Sequence, residues 1–135
     1  TLESIETAHD AQGGKLRGKN LVRIFDFDGL KIAHLGDLGH LPEGDLLKKL
    51  QGADCLLIPT GGTYTIDHVQ AKQTVDLVQP KVVIPMHYRT DSAGFDVLTH
   101  LNDFTAQYQK FNSCENTFAL TQKTQNQILV IHYKP

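Results

Sequence analysis

The 135-residue chain is about the length of one domain, and with 40% hydrophobic and 21% charged residues it can bury a core, which excludes a disordered chain. A formal charge of -2 gives no general attraction for a polyanion, so nucleic acid is not an expected partner, although Lys15, Arg17 and Lys19 form one small basic cluster. Apolar runs such as Cys55 to Pro59 and Val82 to Met86 are far shorter than the ~20 residues that span a bilayer, so no membrane contact is expected.

The first residues show no charged segment followed by an apolar signal core, and Cys55 and Cys114 lie in no CxxC pattern, which together predict a cytoplasmic, reduced protein. Asn20 to Asp28 (NLVRIFDFD) is rich in β-branched and aromatic residues and reads as a strand. Asp28-Gly29 is a hairpin signal, and LKIAHLG after it is a second strand, paired antiparallel with the first. Glu43 to Gln51 carries Leu46, Leu47 and Leu50 at helical spacing, and Gly52 stands where a helix would stop. CLLIP is too short for a helix and lacks alternation, as in a strand buried on both faces.

Asp67 opens a second helix, with Val69, Thr74, Val75 and Val78 on its periodic positions and Pro80 at its end; KVVIPM is the next buried strand. Residues Ser92 to Lys110 hold Phe95, Leu98, Leu101, Phe104 and Tyr108 at helical spacing, and two β-like runs follow, Thr117 to Thr121 and Gln127 to Tyr133. Helices alternating with buried strands predict a layered α/β architecture and one domain.

Chemistry is expected where buried strands end. LKIAHLGD delivers Asp37 as the chain leaves one strand, and VVIPMH delivers His87 from another; open α/β sheets bind ligands outside the carboxyl ends of their strands. Imidazole and carboxylate are both good ligands for zinc and similar ions, and one carboxylate can give an oxygen to each of two metals. An Asp after a strand is more often a turn former or helix cap, so spacing alone does not decide the matter.

HLGDLGH, Pro59-Thr-Gly-Gly-Thr-Tyr-Thr-Ile-Asp67 and Ile84-Pro-Met-His-Tyr88, in that order, together resemble the metallo-β-lactamase superfamily, in particular its bacterial metal-dependent hydrolase group that includes ascorbate-phosphate lactonase-like enzymes. The upstream stretch His9-Asp-Ala-Gln-Gly-Gly-Lys-Leu-Arg-Gly-Lys-Asn20 extends the resemblance, which runs from about Ile5 to about Thr90. It implies that His9 binds a first metal, Asp37 bridges two metals and His87 binds the second. The centre would be dinuclear zinc, with Mn2+ or Fe2+ also compatible, and its metal-bound hydroxide would attack an ester, lactone, amide or phosphoester of a small-molecule substrate.

Asp37 and His40 are the candidate catalytic residues, His40 either contacting substrate or a metal ligand or serving only as a loop residue. Gly61-Gly62 is expected to allow close backbone approach, with Thr63 and Tyr64 lining the pocket; Lys15, Arg17 and Lys19 either attract an anionic substrate or form a solvated loop. His34, His68, His100 and His132 are expected to be structural or solvated, and Cys55 a small core residue.

The family's His-x-His-x-Asp-His run occurs nowhere in the 135 residues. Residues 1–135 are therefore expected to be the C-terminal part of a four-layer αββα metallo-β-lactamase fold whose N-terminal portion is absent, consistent with a first residue, Thr1, that is not an initiator methionine. Two zinc ions would belong to the complete site, with the centre incomplete or absent in this chain. An apolar surface is expected where further strands would pack, and with it a homo-oligomer. The competing reading is a non-catalytic binding or assembly domain that keeps the fold without a full metal site.

Overall fold

Asn20, Val22 and Ile24 are buried on one side of a strand whose other side carries Leu21, Arg23 and Phe25, so the alternation in NLVRIF does set a strand, β2 (Lys19–Phe27). Asp28 and Gly29 both take positive φ, 52° and 73°, the backbone of a tight hairpin, and lead into β3 (Leu30–His34), antiparallel to β2. The computed structural model describes residues 1–132; Tyr133, at the end of the last β-like run, lies outside them.

Two αβ units follow: α1 (Gly44–Leu50) with β4 (Cys55–Pro59), and α2 (His68–Val78) with β5 (Val82–Met86). Asp67 caps α2 by accepting a hydrogen bond from the Gln70 amide while the Gln70 side chain accepts from Asp67 N–H, and left-handed Gln79 ends the helix before Pro80. A short α3 (Leu101–Thr105), β6 (Asn112–Cys114) and β7 (Gln127–Ile131) complete the elements of the described residues. Among the described residues the sheet has seven strands, ordered β1-β2-β3-β4-β5-β7-β6, with β3-β4-β5-β7-β6 all parallel.

Two expectations are corrected, and one strand was not anticipated. β1 (Leu2–Ala8) was not anticipated: it is an edge strand paired with β2, and its sequence LESIETA is largely exposed and carries no apolar alternation. Ser92 to Lys110 is not one helix. Thr99 N–H donates to the Gly61 carbonyl, Arg89 bridges His100 and Gly94 sits at φ 98°, so residues before α3 run as an extended, turning segment despite their helical spacing. Thr117 to Thr121 forms no strand; Phe118 and Leu120 pack on the sheet as irregular chain.

One face of the sheet and the helices enclose the main core, with Val22, Leu35, Leu50, Leu56, Ile66 and Phe104 fully buried. The opposite face holds a smaller cluster around Cys55, Val82 and Leu129, and burial pushes the Cys55 thiol up to about 11, an inert core residue. Further along that face Leu21, Phe25 and Phe27 are exposed. Among the described residues no helix is long and apolar enough to cross a membrane.

Asp54 ties the amino ends of the central strands. Its carboxylate accepts from Lys31 N–H at 2.8 Å and from Lys81 Nζ at 2.6 Å, joining β3 to β5 across β4. Burial favours the neutral acid, but the Lys81 and Lys31 hydrogen bonds and both lysine charges outweigh it, so the pKa falls below the usual carboxylate range. A lowered folded-state pKa gives stability that is present above the unfolded value of about 3.9 and lost as pH falls through the folded one. Asp54→Asn is expected to destabilise the fold by about 1 to 2 kcal/mol at pH 7, discounted for the partly exposed lysine, and the gap from wild type should shrink below about pH 4. Thermal unfolding at pH 7 and pH 3 measures it; an equal gap at both would refute the linkage.

Candidate metal centre

Three strands deliver three potential ligands to one end of the sheet. β1 ends at Ala8 and presents His9, β3 runs through Leu35 and Gly36 to Asp37, and β5 ends at Met86 and presents His87. His87 adopts φ 55°, an uncommon left-handed backbone for a non-glycine residue. Its Nδ1 lies 3.0 Å from Asp37 Oδ1, while His9 Nε2 lies 3.8 Å from Asp37 Oδ2. Each carboxylate oxygen therefore faces a different imidazole. Among the described residues no three His, Cys, Asp or Glu side chains converge on a single metal position.

Glycines make this convergence possible. A Cβ on Gly39 would fall 2.2 Å from the Asp10 nitrogen, and one on Gly61 would fall 2.0 Å from the His87 carbonyl oxygen. The turns after β3 and β4 thus lie directly against the backbone that presents His9 and His87. Behind His9, the Asp10 carboxylate accepts from the N–H groups of Gln12, Gly14, Leu16 and Arg17, winding the glycine-rich loop around itself. Burial works against ionisation there, but the four backbone donors prevail and hold the pKa at about 2.

His9, Asp37 and His87 open into a cleft of about 640 Å³ whose walls include Tyr64, Thr65, Tyr88 and Phe95. Arg17 lies 5.5 Å over the Tyr64 ring, and Lys19 pairs with Glu6, so these two residues of the basic cluster are engaged separately. Thr63, at φ 57°, donates through Oγ1 to the Val97 carbonyl and is not among the residues lining the cleft. His40 is not brought to it either. The Ala8 amide approaches its Nε2 at 3.5 Å, its Nδ1 lies 2.9 Å from the Leu41 carbonyl, and it borders a separate hollow with Asp10 and Glu43. Another hollow, of about 470 Å³ between Val75 and Asn126, is lined by no His, Cys, Asp or Glu.

Two neighbours of the centre were not anticipated in these roles. His34 accepts the Gly36 N–H on Nδ1 at 3.0 Å; burial, then the charges of His87 and Arg23, lower its pKa against the opposing pull of Asp37. Asn20 Oδ1 accepts the Asp37 N–H at 2.8 Å. Its position at the start of a strand gives no signal of that contact. His68 opens α2 and His100 caps α3, accepting from Asn102 N–H.

Residues 1–87 match the family model described as a beta-lactamase superfamily domain. The chain is 37% identical over 84 residues to a "UPF0173 metal-dependent hydrolase" of Thermococcus onnurineus, covering 61% of this chain and 38% of that protein. It is 46% identical over 59 residues to one of Staphylothermus marinus, covering 44% of this chain and 26% of that protein. A crystal structure from Thermotoga maritima, described within the Zn-dependent hydrolases of the metallo-beta-lactamase superfamily, superposes with a TM-score of 0.83 at 36% identity, over 96% of this chain and 63% of that one. The chain thus spans less than half the length of both sequence relatives.

Proposed function

We propose, because the chain belongs to the beta-lactamase superfamily and has its fold, that it forms part of a metal-dependent hydrolase acting on a small-molecule substrate. The observation that carries this reading is Asp37, whose two oxygens face separate imidazoles. Two nitrogen donors about one carboxylate suit zinc, and equally manganese or iron, and the two oxygens of one carboxylate could serve two ions. His9 and His87 would each hold one ion, and Asp37 both. A metal held by these residues would supply Lewis acidity toward a scissile bond and would lower the pKa of a bound water toward about 7. His40 supports the His9 segment through its contact with the Ala8 amide.

Three donors are too few for two metals, since zinc usually takes four ligands. The remaining ligands, including an equivalent of His-x-His-x-Asp-His, would come from polypeptide outside residues 1–135. Elemental analysis of the zinc-loaded chain is expected to find fewer than two tightly held metals per chain; two per isolated chain would refute this division of ligands. The second reading, a binding or assembly domain without catalysis, draws on the same three-donor set. Supplying the missing ligand segment separates them: hydrolysis of a lactone or phosphodiester panel supports the enzyme, and inactivity with full metal content supports the alternative.

A further inference from the structure

We propose that Asn20 is a positioning residue that sets the spacing of His9 and Asp37, an inference resting on the metal reading above. Asn20 is only 9% exposed, and its amide is engaged at both ends. Nδ2 donates to Thr7 Oγ1 and to the Leu35 carbonyl, both at 2.9 Å, while Oδ1 accepts from Asp37 N–H at 2.8 Å. The Leu35 carbonyl can only accept and the Asp37 amide can only donate, so the orientation of the Asn20 amide is fixed by chemistry.

These partners lie on the two ligand-bearing segments. Thr7 stands two residues before His9 on β1, and Leu35 stands two residues before Asp37 beyond β3. Gly36 between them is held against the same group, since a Cβ there would fall 2.5 Å from Asn20 Oδ1. The sheet ladder already pairs Thr7 with Asn20 and Arg23 with His34, so β1 and β3 stay attached to β2 without this side chain. Asp37 lies beyond that ladder. Two contacts tie its turn to β1: Gly39 N–H donates to the Ala8 carbonyl at 3.0 Å, and the Asn20 side chain holds the Asp37 amide itself.

Amide hydrogen exchange and Co2+ titration, followed by the visible absorption of the bound ion, test the proposal. In wild type the Asp37 amide should be protected although its side chain is half exposed; exchange at the free-peptide rate would overturn the inference. Asn20→Ala is expected to abolish that protection and weaken Co2+ binding about 10- to 100-fold. Asn20→Asp keeps an acceptor for the Asp37 N–H and loses both donated bonds, so it should retain protection there while still weakening Co2+, and it serves if the alanine variant does not fold. Asp54→Asn, at the far end of the sheet, lowers the melting temperature without touching the centre, and its Co2+ affinity should match wild type. Unchanged Co2+ affinity in a folded Asn20 variant, or the same loss in Asp54→Asn, would overturn the positioning role. Failure of the metal reading has another signature: Asp37→Asn binds Co2+ like wild type, while exchange at residue 37 still reports the Asn20 contact.

Discussion

Asp37→Asn is expected to remove metal and turnover together in a protein with a completed centre. The substitution replaces a charged oxygen with an amide nitrogen that carries no lone pair for a metal, and only one oxygen remains where two imidazoles now face two. Because activation of water depends on bound metal, the rate should fall by orders of magnitude. A purely structural Asp37 would behave differently. Its side chain is 49% exposed, so its pairing with His87 is worth at most about 1 kcal/mol of stability. The metal-free Asp37→Asn protein should therefore melt close to wild type. His87→Ala is expected to empty chiefly one of the two sites, because Asp37 and His9 still serve the other. Metal stoichiometry, melting temperature and hydrolysis measured on the same preparations decide the matter; normal metal content in Asp37→Asn refutes the bridging role.

Asp37 and His87 were legible as candidate ligands because they sit where apolar runs stop, whereas His9 came only from the family resemblance. CLLIP and VVIPM read as buried strands from composition alone, and Asp37 and His87 lie just past strands that end in the same direction. β1 was not legible, because an edge strand with exposed Glu3 and Glu6 needs no apolar alternation, and its place is set by its ladder with β2. The helix expected from Ser92 failed for the opposite reason. Phe95 and Leu98 have helical spacing but stand at the cleft, where hydrogen bonds to the Gly61 turn hold their segment extended. Asn20 illustrates a third limit: the sequence shows an asparagine entering a strand, and only the folded chain shows which carbonyl and which amide it meets.

Gly61→Ala is expected to disturb His87 from a distance in sequence of more than twenty residues. Gly61 is not at positive φ, so alanine carries no backbone penalty of its own there, and the whole effect is steric. The added methyl would fall 2.0 Å from the His87 carbonyl oxygen and 3.2 Å from Leu98 Cδ2. The leucine can rotate away, but the carbonyl belongs to a residue already in the left-handed region and flanked by β5, so the backbone of one turn must move. Overpacking of this kind costs about 1 to 3 kcal/mol, sometimes more, and the displacement falls on a candidate ligand. Gly52→Ala provides the contrast: at φ 73° with no atom within 4 Å, it should cost about 1 to 2 kcal/mol through backbone strain alone, at the far end of α1. Both variants should lower the melting temperature to a similar extent, while only Gly61→Ala shifts the His87 imidazole resonances and weakens Co2+ binding. A Gly61→Ala protein with wild-type His87 resonances would show that the β4 turn does not hold the ligand in place.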